Sequence, residues 1–255
     1  MRKITINLAA VAAFCIVVAS PALVSSSCAT PQTEQEDTTI IREDLGITAL
    51  KYSSPEVPSS IEFCGKVIDL SRFDRHERMD RELLAFTYMH STSLQMLKKA
   101  NRYFPIVEPI LKENGIPDDF KYLMVIESNM NPTARSSAGA AGLWQFMQGT
   151  GRDYGLEVNN NVDERYHIEK ATRAACRYLK DAYAKYKDWV AVAASYNAGQ
   201  ARIASQLAKQ DVDDSLDLQL VEETARYVYR ILAAKQLFSA PTTCLLYTSP
   251  SPRDS

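Results

Sequence analysis

The chain shows no excess of charge of either sign. Its 255 residues carry 29 basic and 31 acidic side chains, a formal net charge of −2. A nucleic-acid binder needs a clustered basic excess, and a polybasic membrane patch is equally missing. Histidine is scarce, with only His76, His90 and His167, and there are five cysteines. Cys64 and Cys176 lie far apart, so no metal-ligand spacing arises, and neither a metal nor another cofactor is expected. Two cysteines in the folded part make no disulfide framework. Cys176, set among alanines, reads as a buried free thiol. Strand-like alternation of any length, low-complexity tracts and internal repeats are also absent. The only long uncharged apolar run, residues 4–19, falls short of the about twenty residues that span a bilayer comfortably.

That run has a meaning of its own. Arg2 and Lys3 precede it, and Ser20, Pro21 and "ALVSSSCA" follow. Basic, apolar and small-residue zones in that order form a secretory signal peptide, here residues 1–27, so the chain is expected to be exported to the periplasm. Three serines before Cys28 make a loose lipoprotein box, with Ser25 where a large aliphatic residue is usual. Lipidation of Cys28, with attachment to the outer membrane, and plain cleavage near Ala22 or Ser27 both stay open. Residues 28–45, with "TPQTEQEDTT", read as a solvated acidic linker. At the other end, residues 244–255, "CLLYTSPSPRDS", share no helical pattern and resemble the conceptual translation of a transposon-type sequencing adapter.

Between the ends the pattern is helical. Residues 76–100 carry apolar side chains at helical spacing, and "NRYFPIVEPILKENG" continues it, with Gly115 as a C-cap. Pro117 is placed at the start of the next helix. Over 167–186, Ile168, Thr172, Ala175, Leu179, Ala182 and Tyr186 step by threes and fours, an amphipathic helix. Residues 189–196 are apolar nearly all round and should be buried, Trp189 with them, and 222–238 close the fold. The expected organisation is mainly α: a helical lead-in over 46–100 and one domain over 101–240.

In "VIESNMNPTARSSAGAAGLWQFM", residues 125–147, one carboxylate ends an apolar run. Phe120, Leu123 or Met124, and Glu127 share a helical stripe, so Glu127 points the way the core residues point. Partial desolvation disfavours the charged form of such a group and raises its pKa. It then still holds a proton near neutrality and can act as a general acid. A last-turn glutamate facing water is the plainer alternative on the helix pattern alone.

The flanking motifs weigh against that alternative. "ES" at 127–128, "GLWQFM" at 142–147, "SYNAG" at 195–199 and "ETARYV" at 223–228 occur in this order. Together they resemble the lytic transglycosylase domain of the soluble lytic murein transglycosylase and goose-type lysozyme kind. "GTGRDYGL" and "VDERYHIEKAT" resemble its membrane-bound lytic murein transglycosylase D branch. The resemblance covers roughly residues 100–240 and implies a lysozyme-like helical fold. It also implies cleavage of the β-1,4 bond between N-acetylmuramic acid and N-acetylglucosamine in peptidoglycan strands, the expected partner.

By that resemblance Glu127 is the sole catalytic acid/base and Ser128 lies beside the sugar. Trp144, Gln145, Phe146 and Met147 would line the groove, the Gln145 amide serving an N-acetyl group and Met147 giving soft contact. Tyr196 would hydrogen-bond the Glu127 carboxyl. Asn197 would face the substrate amide or order the turn before Gly199, and Tyr227 would complete the wall. Trp144 and Phe146 could equally be core. Asp118 and Asp119 read as helix-dipole caps; Asp163 and Glu164 read as partners of nearby arginines or caps. No convincing second acid emerges. A lysozyme-type hydrolase and a non-catalytic glycan-binding module remain alternatives, the latter opposed by the presence of Glu127.

Overall fold

A computed structural model describes residues 55–210, 212 and 214–245. The signal segment, Cys28, the acidic linker, the first residues of the lead-in and residues 246–255 lie outside the described residues.

The described chain opens with a hairpin that sequence analysis did not anticipate. β1 (Ser60–Phe63) and β2 (Lys66–Asp69) pair antiparallel, Ile61 facing Ile68 and Phe63 facing Lys66. Cys64 and Gly65 make the two-residue turn at φ 53° and 83°, the pair of positive values that matches the strands' twist. Ile61, Phe63, Ile68 and Leu70 are buried, an alternation only four residues long on each side. Cysteine at the first turn position, where Asn or Asp is usual, hides the turn.

α1 (Phe73–Tyr88) and α2 (His90–Glu113) follow, and α2 continues through Pro105 and Pro109. The boundary drawn at 100/101 therefore falls inside a continuous helix. Gly115 ends it as expected, at φ 65°: its N–H donates to the Lys112 carbonyl and that of Ile116 to Leu111, a Schellman ending. α3 (Phe120–Ser128) starts at Phe120 rather than Pro117, after a turn over 117–119. Asp119 does not cap it through its side chain. That carboxylate instead accepts from the Cys64 N–H at 2.6 Å and pairs with Lys235 at 2.7 Å, while Asp118 pairs with Lys121.

After α4 (Gln148–Asp153) and a 3-10 turn at Glu164–Tyr166 come α5 (Ile168–Tyr186), α6 (Trp189–Ala198) and α7 (Gln200–Lys209). A second 3-10 turn at Ser215–Asp217 leads to α8 (Glu222–Ser239) and the short α9 (Pro241–Cys244). Asp188 caps α6 by accepting from the Val190 N–H at 2.9 Å. Residues 190–195 of α6 are buried, while Trp189 is partly buried, stacked on Tyr183 at 4.0 Å and edge-on to Phe120 at 5.3 Å. α8 packs against α1 on one side and α3 and α6 on another. The fold is thus mainly α, as the periodicity predicts. Cys176 is buried and unbridged, its thiol pushed up to about 11 by burial. Cys244, first of the adapter-like residues, is buried, and its carbonyl accepts from the Thr87 hydroxyl at 2.6 Å.

Candidate active site

The site forms where α3 ends against α8 and α6. Asn129 and Met130, both left-handed at φ 49° and 59°, turn the chain off α3 just after Glu127 and Ser128. Arg165 is a principal anchor of the loop that follows. Arg165, buried between Asp163 and the loop, donates through Nη1 to the carbonyls of Gly139 (2.8 Å) and Phe146 (2.9 Å). Its Nε and Nη2 grip Asp163 at 2.8 and 2.7 Å, a bidentate pair whose planar fork also satisfies backbone acceptors. Gly142 sits at φ 79°, and a Cβ there would lie 1.9 Å from the Arg165 carbonyl oxygen. Only glycine fits.

Within "GLWQFM" the side chains divide. Trp144 is fully buried, and its indole N–H donates to the Thr172 hydroxyl at 2.9 Å. Phe146 is buried too, tilted against Tyr196 at 6.2 Å. Both are core, not groove wall. Gln145, at φ 48°, turns its amide nitrogen inward to the carbonyls of Gly142 (2.7 Å) and Ala134 (3.2 Å). Those donors cannot serve an N-acetyl group while they hold the loop. Met147 is 45% exposed and alone of the four lies open to solvent. Ser128 is buried, and its hydroxyl donates to the Met124 carbonyl at 3.2 Å.

The partner of Glu127 is not Tyr196. The Tyr196 hydroxyl donates to the Trp144 carbonyl at 2.8 Å, while the Tyr227 hydroxyl, from α8, donates to Glu127 Oε1. Tyr196 still lies within electrostatic reach of Glu127. Asn197 accepts through Oδ1 from the Thr224 hydroxyl at 2.9 Å, which ties the end of α6 to the first turns of α8 and leaves its amide nitrogen free of that bond.

Electrostatics give the carboxylate its character. Burial pushes Glu127 up from an ordinary 4.5 to about 7, against the Tyr227 hydrogen bond and the charge of Arg230, and with a push from Glu223. The desolvation cost dominates. Burial and the neighbouring Glu127 charge hold both the Tyr196 and Tyr227 phenols well above their ordinary value, so each remains an O–H donor. Glu223, in the first turn of α8, belongs to "ETARYV" and was missed as a second acid; it is exposed and acts on Glu127 only through its charge. Arg165, Thr172 and Thr224 were also missed. An arginine two residues after Asp163 inside the "VDERYHIEKAT" stretch was the available signal for the first. Among the described residues no group of three or more His, Cys, Asp or Glu side chains gathers to hold a metal.

The site is thus one desolvated, proton-holding carboxyl at a helix end of a mainly α domain, bonded to a tyrosine and fit for general-acid chemistry. Residues 105–217 match the family model described as the Transglycosylase SLT domain. Membrane-bound lytic murein transglycosylase D of Escherichia coli (strain K12) is 30% identical over 166 residues, 63% of this chain and 36% of that protein. Peptidoglycan transglycosylase gp16 of Escherichia phage T7 is 31% identical over 123 residues, 47% of this chain and 9% of that protein. The solved structure of an inactive mutant of lytic transglycosylase Slt from Pseudomonas aeruginosa superposes with a TM-score of 0.46 at 21% identity, covering 56% of this chain and 25% of that one. Residues 105–217 are thus similar to the transglycosylase SLT domain, and the chain is homologous over 166 residues to membrane-bound lytic murein transglycosylase D. It spans about a third of that relative's length.

Proposed function

We propose that this chain is a peptidoglycan lytic transglycosylase that cleaves the β-1,4 bond between N-acetylmuramic acid and N-acetylglucosamine without adding water. The observation that carries the reading is the Glu127 carboxyl, desolvated to hold its proton near pH 7 and bonded to Tyr227 rather than to a cation or a second carboxylate. Protonated Glu127 donates to the departing glycosidic oxygen. The carboxylate so formed is stabilised by the Tyr227 O–H and then takes the proton from the 6-hydroxyl of the muramic ring, whose oxygen attacks C1. The C1–O4 bond breaks, the C1–O6 bond forms, and the product is a 1,6-anhydro-N-acetylmuramic end. An intramolecular nucleophile has an effective molarity of about 10⁵–10⁸ M when held in place, enough to outrun water. Glu127 serves both steps because its pKa lies near the operating pH.

Exposed Met147, the free Asn197 amide nitrogen and the Gln145 carbonyl oxygen are the groups this reading assigns to the glycan. Ser128 contributes shape at the subsite rather than a hydroxyl donor. A hydrolytic second reading draws on Glu223, whose charge reaches Glu127 and which could serve as base for a water, as the paired carboxylates of inverting glycosidases do. Digestion of purified sacculi in heavy-oxygen water separates the two. The expected fragments carry anhydro ends with no label at C1; substantial label there makes the enzyme a muramidase. Export is part of the same proposal, since the substrate is outside the cytoplasm. N-terminal mass spectrometry should find a mature chain starting between about residues 20 and 29, with a diacylglyceryl mass on Cys28 if it is anchored, and an intact Met1 on cytoplasmic protein contradicts it.

A further inference from the structure

Glu82 lies on α1, in the lead-in that the recognised motifs do not include, yet its side chain is only 2% exposed. A carboxylate so placed needs compensation, and it comes from α8. Arg226 Nε donates to Glu82 Oε1 at 2.6 Å, and Arg230 Nε to Oε2 at 3.4 Å. The two arginines are one helical turn apart on the face of α8 toward α1. Tyr227, between them in sequence, leaves α8 on another side and donates to Glu127. One helix thus carries a charged clasp toward α1 and the bond to the acid toward α3.

We propose that Glu82 is a positioning residue of the active site: by clasping Arg226 and Arg230 it holds, from the lead-in helix, the stretch of α8 that presents Tyr227 to Glu127. The inference rests on Glu127 being the acid. Against burial, the Tyr227 bond and the charge of Arg230 draw Glu127 toward its ionised form, while Glu223 pushes the other way. The titratable groups facing Glu127 are Tyr227, Arg230 and Glu223 from α8 and Tyr196 from α6; those facing Glu82 are Arg226 and Arg230. Without the Glu82 charge the clasp loosens, this stretch of α8 is held less tightly, and the Tyr227 hydroxyl meets Glu127 less squarely. A glutamine at position 82 keeps one oxygen for Arg226 and so keeps the helix pair, while losing the charge that tightens the clasp.

The test is the pH dependence of anhydro-muropeptide release from purified sacculi by the full chain and three variants: Glu82→Gln, Tyr227→Phe and the double variant. Activity needs a protonated Glu127 and falls on the alkaline side. Loss of the Tyr227 bond raises the acid's pKa, so that limb moves to higher pH in Tyr227→Phe, by about half a unit or more. Glu82→Gln moves it the same way by a smaller amount, and the double variant matches Tyr227→Phe alone, because Glu82 acts through Tyr227. A lower kcat with an unmoved limb, a shift to lower pH, or additive shifts in the double variant overturns the proposal. Should Glu82→Gln fail to fold, Arg226→Gln, which removes the closer bond of the clasp, takes its place, and an unmoved limb there overturns the proposal by itself. Full activity of Glu127→Gln would instead remove the assignment of the acid on which the inference rests.

Discussion

The two flanks of α8 hold their glutamates by opposite means. Toward α1, Glu82 is buried against two guanidinium groups, and nearby Arg81 pairs with Glu222 at 2.5 Å. Toward α3, Glu127 accepts a hydrogen bond from the Tyr227 phenol, and Arg230 acts on it only through its charge. Burial has the same sign on both flanks, since it penalises a carboxylate's charge wherever water is removed. The partners decide the outcome. Guanidinium groups compensate a buried carboxylate and make it a strut between helices. A phenol donates one hydrogen bond, compensates less than burial takes away, and leaves a group that can give and take a proton near neutral pH.

Four substitutions sharpen or break this contrast. Removing the acid has the largest effect. Glu127→Gln should fold and lose at least about a thousandfold in rate, as expected for a general acid with no substitute; wild-type clearing of a sacculus suspension by this variant contradicts the enzyme assignment. Next is the loop that follows α3. Gly142→Ala places a Cβ against the Arg165 carbonyl at a positive φ, and should destabilise by at least about 3 kcal/mol, a fall in Tm of roughly 6–12 °C for a domain of this size; an unchanged melting curve means the loop is not anchored as described. Tyr227→Phe should slow the reaction by roughly 10–100-fold through loss of the carboxyl's orientation. Because the tyrosine's bond lowers the pKa of Glu127, its alkaline limb should also move to higher pH; a limb moving down refutes the bond. Tyr196→Phe, whose hydroxyl serves a backbone carbonyl, should leave that limb in place.

The smallest effect is on stability. Below about pH 4.5 Glu127 is protonated whether folded or unfolded and costs nothing. As pH rises from 4.5 to about 7, the unfolded chain ionises first and the fold loses stability; the loss levels off above the folded value. Glu127→Gln escapes this. It should match the wild type near pH 4 and exceed it by on the order of 2 kcal/mol at pH 8, after allowance for the carboxyl's partial exposure. Equal stabilities across the range would show that the carboxyl is not desolvated.

The helices were legible because their signals are local. Ile168 to Tyr186 repeat at helical spacing, and Gly115 stands where a left-handed ending must be. The stripe from Phe120 to Glu127 was enough to aim the carboxylate inward. The hairpin was not legible, since Ile61 and Phe63 against Ile68 and Leu70 make an alternation too brief to stand out, and its Cys64–Gly65 turn lacks the usual residues. Partners across the fold were harder still. Tyr196 and Tyr227 are both tyrosines in motifs, and no periodicity tells which hydroxyl reaches Glu127; that depends on the packing that brings the Tyr196 hydroxyl to the Trp144 carbonyl and the Tyr227 hydroxyl to Glu127. Gln145 misled for a similar reason: an amide reads as a ligand-binding group until the positive φ of its own backbone folds it back onto Gly142 and Ala134. Glu223 was overlooked because a first-turn glutamate is ordinary in any helix.

The account stands on the protonation of one side chain, and that can be observed without substrate. Isotope-edited carbon spectra of the wild type, with Glu127→Gln used to assign the Glu127 carboxyl signal, give its titration curve directly. The account predicts a midpoint near 7, moving higher in Tyr227→Phe. A midpoint at the ordinary value of 4.5, unmoved by that substitution, would contradict it.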